Sequence, residues 1–346
     1  MLHQLCQREK GALNMKRNDG IHTFSLKIRS SYSEIQNIRA QNACIHGKHD
    51  RFAFNQNFCI ADYKDMGVEI LLHQSLVHPS CITLIVNPSS LLADEYQPTE
   101  LFRPTEQTMK QLKTRLRTIL DEIGLDTRLK AFRLSRCDQT RDRYYSSADE
   151  VAIWLGIFKK SWHMPRYTAV PFPKDSESDE KWKGANQHEW TIANKSCAFS
   201  VYDKAYELKK RHKVKINAHI LRLELRLSRK RICKLCHEIA WDKQLLELHK
   251  KQDAQLDKFL HRLHLPENTR LVTLTQALEI INASRFREKT KKKLRRIVKK
   301  ANGCESLAAV QRETRIRKKD FTKMLGKLET LGICPISVGF LYDAQK

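Results

Sequence analysis

Two runs decide how this chain reads: Val201-Tyr202-Asp203-Lys204-Ala205-Tyr206-Glu207, and after it Leu221-Arg222-Leu223-Glu224-Leu225-Arg226-Leu227. In the first, an apolar alternating run gives way at a tyrosine to charged, helix-forming residues. The second alternates strictly, with leucines on one face and Arg222, Glu224 and Arg226 on the other. An Arg-Glu-Arg face sets two cations against one carboxylate, which is odd against bare solvent. It makes sense where the carboxylate holds a metal and the arginines meet phosphate. Tyrosine, carboxylate and cations together suggest phosphodiester chemistry.

Outward from these runs, the N-terminal part reads as mostly strands. Ile21 to Ile28 alternates, and further strands are expected at 52–60, 68–75 and 81–87. The last ends in Asn87-Pro88-Ser89-Ser90, a breaker that also starts helices. Thr108 to Glu122 has helical spacing, with Leu112, Leu116, Ile119 and Leu120 on one side. A strand is expected over Phe132 to Asp138. A helix follows, capped by Ser146 or Ser147, with Glu150 in its first turn and the apolar patch 151–158 inside it. Residues 171–188 read as a hydrophilic loop between strands, and strands return at 189–194, 197–203 and 217–228. Past about residue 230, helical patterns rich in cations take over. The spacing predicts an α+β chain: an antiparallel central sheet with flanking helices, then a mainly α-helical basic C-terminal domain. The expected organisation is a disordered leader at 1–20, one domain over 21–235 and a helical DNA-binding domain over 240–346.

The chain has 346 residues, with 64 Lys+Arg against 39 Asp+Glu and a formal net charge of +25. That surplus favours a polyanionic partner, and nucleic acid first, because neutralising phosphates releases counterions. The basic runs lack a long apolar helix face, which argues against a membrane surface. No run approaches the ~20 apolar residues that span a bilayer. The ten cysteines are irregularly spaced in a basic chain and read as reduced thiols of a cytoplasmic protein.

Three segments converge on chemistry: Arg136-x-Asp138-x-x-x-Asp142, Tyr202-Asp203-Lys204 with Glu207, and Arg222-x-Glu224-x-Arg226. Period two puts Glu224 on the face opposite its leucine neighbours, and Asp138 on one face with Arg136. If their strands are near neighbours, that face gathers carboxylates and cations. Clustered oxygen donors suit Mg²⁺ or Mn²⁺, and a tyrosine hydroxyl beside such a site is a nucleophile for phosphorus. Taken singly, a tyrosine at a strand end is ordinary packing and an Asp-Lys pair an ordinary turn. Their order carries the reading.

That order resembles the rolling-circle replication initiators of small Gram-positive plasmids (the Rep_trans type) and, more distantly, the initiator of filamentous phages. The resemblance rests on Val86-Asn87-Pro88, Ser135-Arg136-Cys137-Asp138 through Asp142, Tyr202-Asp203-Lys204 through Glu207, and Arg222 to Leu227, over roughly residues 80–230. It implies that 21–235 is a nicking and joining domain with Tyr202 as nucleophile. It further implies Asp138, Asp142 and Glu224 as ligands of Mg²⁺ or Mn²⁺, and Lys204 and Arg222 as phosphate contacts. Origin DNA, duplex and single-stranded, is the implied partner, with a second copy of the chain and a host helicase as further candidates. Two departures stand out: Ile85 and Val86 precede Asn87-Pro88 where family members often carry an acidic residue, and residues 139–141 are polar. The alternative of another class is a non-catalytic DNA-binding or regulatory protein that keeps the initiator fold.

Arg285 to Lys300 holds ten cations and a single Glu, without the oppositely charged i+4 partners of a solvated face. Lys291, Lys292, Lys293, Arg295 and Arg296 are therefore expected on DNA phosphates. Residues 305–331 read as a helix, a turn near Thr314 and a second helix rich in Lys318, Lys319, Lys323 and Lys327; a plain helical hairpin is the commoner outcome of such a pattern, and a helix-turn-helix the alternative. Cys233-x-x-Cys236-His237 lacks a second ligand pair and reads as two buried or idle thiols.

Overall fold

The structure is a computed structural model that describes residues 17–46, 55–94, 97–161, 164–170, 188–265, 272–301, 303–304 and 306–336. Its strands are β1 (Arg17–Ser30), β2 (Cys44–His46), β3 (Asn55–Ile60), β4 (Val68–Ser75), β5 (Ser80–Val86), β6 (Arg133–Tyr145), β7 (Thr168–Ala169), β8 (Glu189–Ala193), β9 (Cys197–Asp203) and β10 (His219–Ser228). Helices α1 (Tyr32–Gln41), α2 (Pro88–Leu92), α3 (Glu106–Glu122), α4 (Ala148–Lys160) and α5 (Lys204–Glu207) interleave with them. After the last strand come α6 (Arg229–Leu235), α7 (Trp241–Lys250), α8 (Gln252–Arg262), α9 (Leu274–Ala283), α10 (Glu288–Ala301), α11 (Leu307–Thr314) and α12 (Lys318–Thr330). The ten strands form one antiparallel sheet in the order β2-β3-β4-β5-β1-β6-β10-β9-β8-β7. The expected α+β class, with a helical region after the last strand, is what the chain adopts.

The local signals act as their chemistry requires. Asn87 caps α2 through its side chain, with Pro88 at the first helical position, where its missing N–H costs nothing. Ser147 accepts a hydrogen bond from the Glu150 backbone N–H and starts α4. β1 begins at Arg17, inside the stretch read as leader, and residues 1–16 lie outside the described residues. Most of the expected loop, 171–187, does too.

The chain divides into two compact units, each drawn from separate segments. The first takes described residues up to Tyr144, Lys195–Phe199 and Arg222–Gln252; the second takes Tyr145–Asn194, Ser200–Leu221 and the chain from Asp253. In the first unit Phe24, Leu26, Ile70, Leu72, Ile82, Leu84 and Val86 are fully buried with Leu112, Leu116 and Leu120 of α3. Each such side chain contributes about 1.5–3 kcal/mol by leaving water. Trp241 stacks on Phe24 with centroids 6.0 Å apart and donates its indole N–H to the Leu129 carbonyl at 3.1 Å. In the second unit Phe158 packs near Trp190 at 6.1 Å, and Tyr167 meets Phe259 edge-on at 5.7 Å.

β6 runs further than its sequence suggests. Asp138 to Arg143 contains no apolar residue, yet all six are buried. Buried polar groups persist where they are partnered. Gln139 donates to the Leu248 carbonyl at 2.8 Å, Gln252 donates to the Thr140 carbonyl at 2.8 Å, and Arg141 donates to Asp19 at 2.8 Å. None of these partners is near in sequence, so a polar run hides a core strand.

Candidate functional site

β10 has its leucines, Leu221 to Leu227, buried on one face. The opposite face is not a solvent face either: Arg222 is 0% and Glu224 5% exposed, and only Arg226 is open to water. This row meets the even-numbered residues of β6. Arg222 donates from Nε and Nη2 to the two carboxylate oxygens of Asp142, both at 2.7 Å. Arg226 donates from Nε to Asp138 at 3.3 Å and from Nη2 to Glu224 at 3.3 Å. The contacts 222 to 142 and 226 to 138 run in opposite chain directions, as antiparallel neighbours must.

Asp138 has a second cation. Arg136 lies two residues back on the same face and donates from Nε to both Asp138 oxygens, at 2.9 and 3.1 Å, with Nη2 bonded as well. Glu224 has an imidazole: its Oε2 lies 3.2 Å from Nδ1 of His22. His22 reaches it from a bulge in β1. Ile21 pairs with Gln139 and Thr23 with Asp138, so His22 has no counterpart on β6. A bulge re-aims a side chain in this way. Just before it, Gly20 lets the chain approach Leu101 and Phe102 so closely that a Cβ would lie 2.7 Å from each. The backbones of Ile21 and Phe102 bond there at 2.8 and 3.1 Å.

The electrostatics follow from burial and partners. Burial and then the neighbouring Glu224 charge push the Asp138 carboxyl above its ordinary value, against the pull of Arg136. Burial also raises Glu224, but the His22 hydrogen bond, His22 charge, Arg226 and Arg136 outweigh it and hold that carboxyl well below the usual range. Three carboxylates thus face three guanidiniums and one imidazole.

The structure brings Asp138 and Glu224 together under Arg226, and gives Asp142 to Arg222. Among the described residues, no three His, Cys, Asp or Glu side chains are grouped to hold a metal ion. The balance of charge gives the reason: a divalent cation needs unneutralised oxygens, and guanidiniums already occupy these. As arranged here, the set read from the sequence as ligands of Mg²⁺ or Mn²⁺ does not fit such an ion. His22 and the two-carboxylate support of Arg226 were missed in the sequence. Alternation puts His22 on the face of Phe24, Leu26 and Ile28, and nothing local signals the bulge that re-aims it.

Tyr202 and Lys204 belong to the second unit. Tyr202 is at the end of β9 and 9% exposed. Asp203 caps α5, its Oδ1 accepting from the Tyr206 N–H at 3.0 Å. Lys204, read as a phosphate contact, is buried, and its Nζ donates to Glu207 at 2.8 Å. Burial raises the Glu207 carboxyl, yet Lys204, Arg211 and His212 bring it below its ordinary value. His188 stacks on Tyr206, ring centroids 3.5 Å apart and 8° from parallel, and its carbonyl accepts from the Asp203 N–H at 3.0 Å.

The basic run forms α10, with Leu294, Ile297, Val298 and Ala301 buried. Lys291 donates to the Asn282 carbonyl at 2.6 Å, and Arg295 to the Asn282 side chain at 2.8 Å and to Glu288. Lys292 and Arg296 are exposed and Lys293 is half-buried, and their cationic ends are not engaged by a carboxylate among the described residues. Near β10, Cys236 is buried while Cys233 is exposed. No described helix is long and apolar enough to cross a membrane.

No family model matches the sequence, and no curated protein matches it. Among solved structures, the chain is similar to a rolling circle replication initiator protein from Geobacillus stearothermophilus, at 8% identity and a TM-score of 0.35, over 72% of this chain and 86% of that one.

Proposed function

We propose that this chain binds DNA, cuts one strand through a tyrosine and later rejoins it, as an initiator of rolling-circle replication of a plasmid, phage or integrated element. The observation that carries the reading is the joint hold of Asp138 and Glu224, from two of the sequence motifs, on the exposed guanidinium of Arg226. An arginine fixed by two carboxylates and open to water is oriented for a planar, bidentate partner, and a phosphate is one. Arg136, half-buried on the other side of Asp138 and held by that one carboxylate, is a second guanidinium beside it.

In this reading Tyr202 supplies the nucleophile. Its phenolic oxygen forms a bond to phosphorus, the bond from phosphorus to the 3′ oxygen breaks, and the phenol's proton passes to the departing hydroxyl. The strand is then held as a 5′-phosphotyrosine, and the reverse attack rejoins it. We give Lys204 and Arg222 positioning roles, through Glu207 and Asp142, because both lie buried in ion pairs. Lys292, Lys293 and Arg296 of α10 meet DNA phosphates.

A second reading, a DNA-binding protein without strand cutting, draws on two observations: Tyr202 is nearly buried, and the carboxylates are already neutralised. Incubation with a negatively supercoiled plasmid carrying the DNA that flanks the coding sequence separates the two. Nicked circles support the first reading; binding with the plasmid left intact supports the second. The same assay with Mg²⁺, Mn²⁺ or a chelator measures any requirement for a divalent ion.

A further inference from the structure

We propose that α11 and α12 are a helix-turn-helix whose second helix enters the major groove of duplex DNA, with Lys319, Thr322 and Lys323 reading the base edges. This rests on the DNA-binding half of the function proposed above and names the form of DNA and the residues that would select a sequence.

The geometry starts with the turn. Ser306 caps α11, and Thr314 ends it, buried, its hydroxyl donating to the Val310 carbonyl at 2.8 Å. Three residues follow, Arg315-Ile316-Arg317, before α12 begins. Arg315 is left-handed at φ 51, which few non-glycine residues adopt, and Gln311 donates across the turn to the Ile316 carbonyl at 2.6 Å. A turn so short and fixed serves this motif and a plain helical hairpin alike, and the exposed face of α12 selects between them. α10 packs against both of them. Leu294, Ile297 and Val298 of α10, Leu307 and Val310 of α11, and Phe321, Leu325 and Leu328 of α12 are buried.

The outer face of α12 is chemically one-sided. Lys319, Thr322 and Lys323 are exposed, and Gly326 is seven residues after Lys319, on the same side. Arg315, Arg317 and Lys318 add cations at the start of the helix. The nearby carboxylates are engaged: Asp320 with Arg317 at 3.2 Å, and Glu329 with His261 at 2.7 Å and His264 at 3.5 Å. A cationic helix start is what a phosphate-lined groove attracts. Lysine donates to guanine O6 and N7, and threonine offers a hydroxyl and a methyl to the groove edge.

Gly326 is an independent observation. Glycine in the interior of a helix is disfavoured, because it gives up more conformational freedom than alanine. A Cβ at Gly326 would meet nothing within 4 Å, and its backbone is an ordinary helix. Nothing in the described chain calls for a glycine there. The close approach of an outside surface does, and on this face that surface is the groove wall.

The test uses the full chain and a random duplex DNA library. The protein is expected to enrich one sequence. Its affinity for that duplex over a scrambled one should fall by about fivefold or more in Lys319→Ala, Thr322→Ala and Lys323→Ala, the range expected when one base-reading side chain is removed. Gly326→Ala should raise the melting temperature and still weaken binding to the enriched duplex, a combination that mere solvent exposure would not give. The proposal is overturned if no sequence is enriched, if single strands or RNA are preferred, or if the affinity ratio is unchanged in all four variants. Plasmid cutting is scored separately. A chain that cuts but reads no sequence through α12 loses only this inference, and one that selects duplexes and never cuts loses only the nicking reading.

Discussion

Arg222 and Asp142 meet through two hydrogen bonds of 2.7 Å, with neither side chain exposed to solvent. Removing one member of such a pair strands the other charge in the core. Arg222→Met or Asp142→Leu alone should therefore destabilise the chain by about 3–5 kcal/mol in urea denaturation, and the double substitution by less than either. Losses below about 1 kcal/mol for the singles would show that the pair is not buried.

Lys204 and Glu207 give a pH dependence. The Glu207 carboxyl is held below the ordinary value of 4.5, so its stabilising contribution is complete above that value. It is lost as pH falls through the lower folded value. The gap in melting temperature between wild type and Glu207→Gln should be widest near pH 6 and shrink as pH drops below about 4.5. A gap that widens on acidification would contradict the pairing.

Thiol chemistry separates the two cysteines after β10. Burial pushes the Cys236 thiol up to about 11, while Cys233 is exposed. The thiolate is the reactive form, so iodoacetamide at neutral pH should label Cys233 well before Cys236, as read by peptide mass spectrometry. Equal labelling would mean that Cys236 is not in the core.

For DNA binding, the members of the basic run are not equivalent. Alanine at Lys292, Lys293 or Arg296 should flatten the dependence of log affinity on log salt, by about 0.9 for every phosphate that is no longer neutralised. Alanine at Lys291 and Arg295, which hold Asn282, should act more on the melting of the helical region. Fluorescence anisotropy at several salt concentrations reads the slopes. Five equal slopes would remove the distinction.

How far the sequence carries can be followed residue by residue. The leucines from Leu221 to Leu227 announce β10 because one buried face needs period two. Asn87-Pro88 announces a helix start because the cap is local chemistry, and the turn near Thr314 stands between α11 and α12 for the same reason. The second half of β6 was not legible, since Asp138 to Arg143 is buried by partners distant in the chain. Nor was the pairing of carboxylates with arginines, which depends on β1, β6 and β10 lying side by side. The resemblance implies Asp142 as a metal ligand, and in space Arg222 donates to both of its carboxylate oxygens. His22 becomes visible only once the bulge is known.

Covalent capture on DNA tests the central claim most directly. The purified chain is incubated with a labelled single strand from the DNA flanking its coding sequence, denatured, and resolved by size. The account predicts a labelled protein–DNA adduct whose attachment maps to Tyr202, and no adduct from Tyr202→Phe although that variant still folds and binds. An adduct that persists in Tyr202→Phe and vanishes in Tyr206→Phe would keep the chemistry and move the nucleophile. No adduct from wild type, with DNA bound and uncut, would contradict the nicking reading and leave the DNA-binding protein in its place.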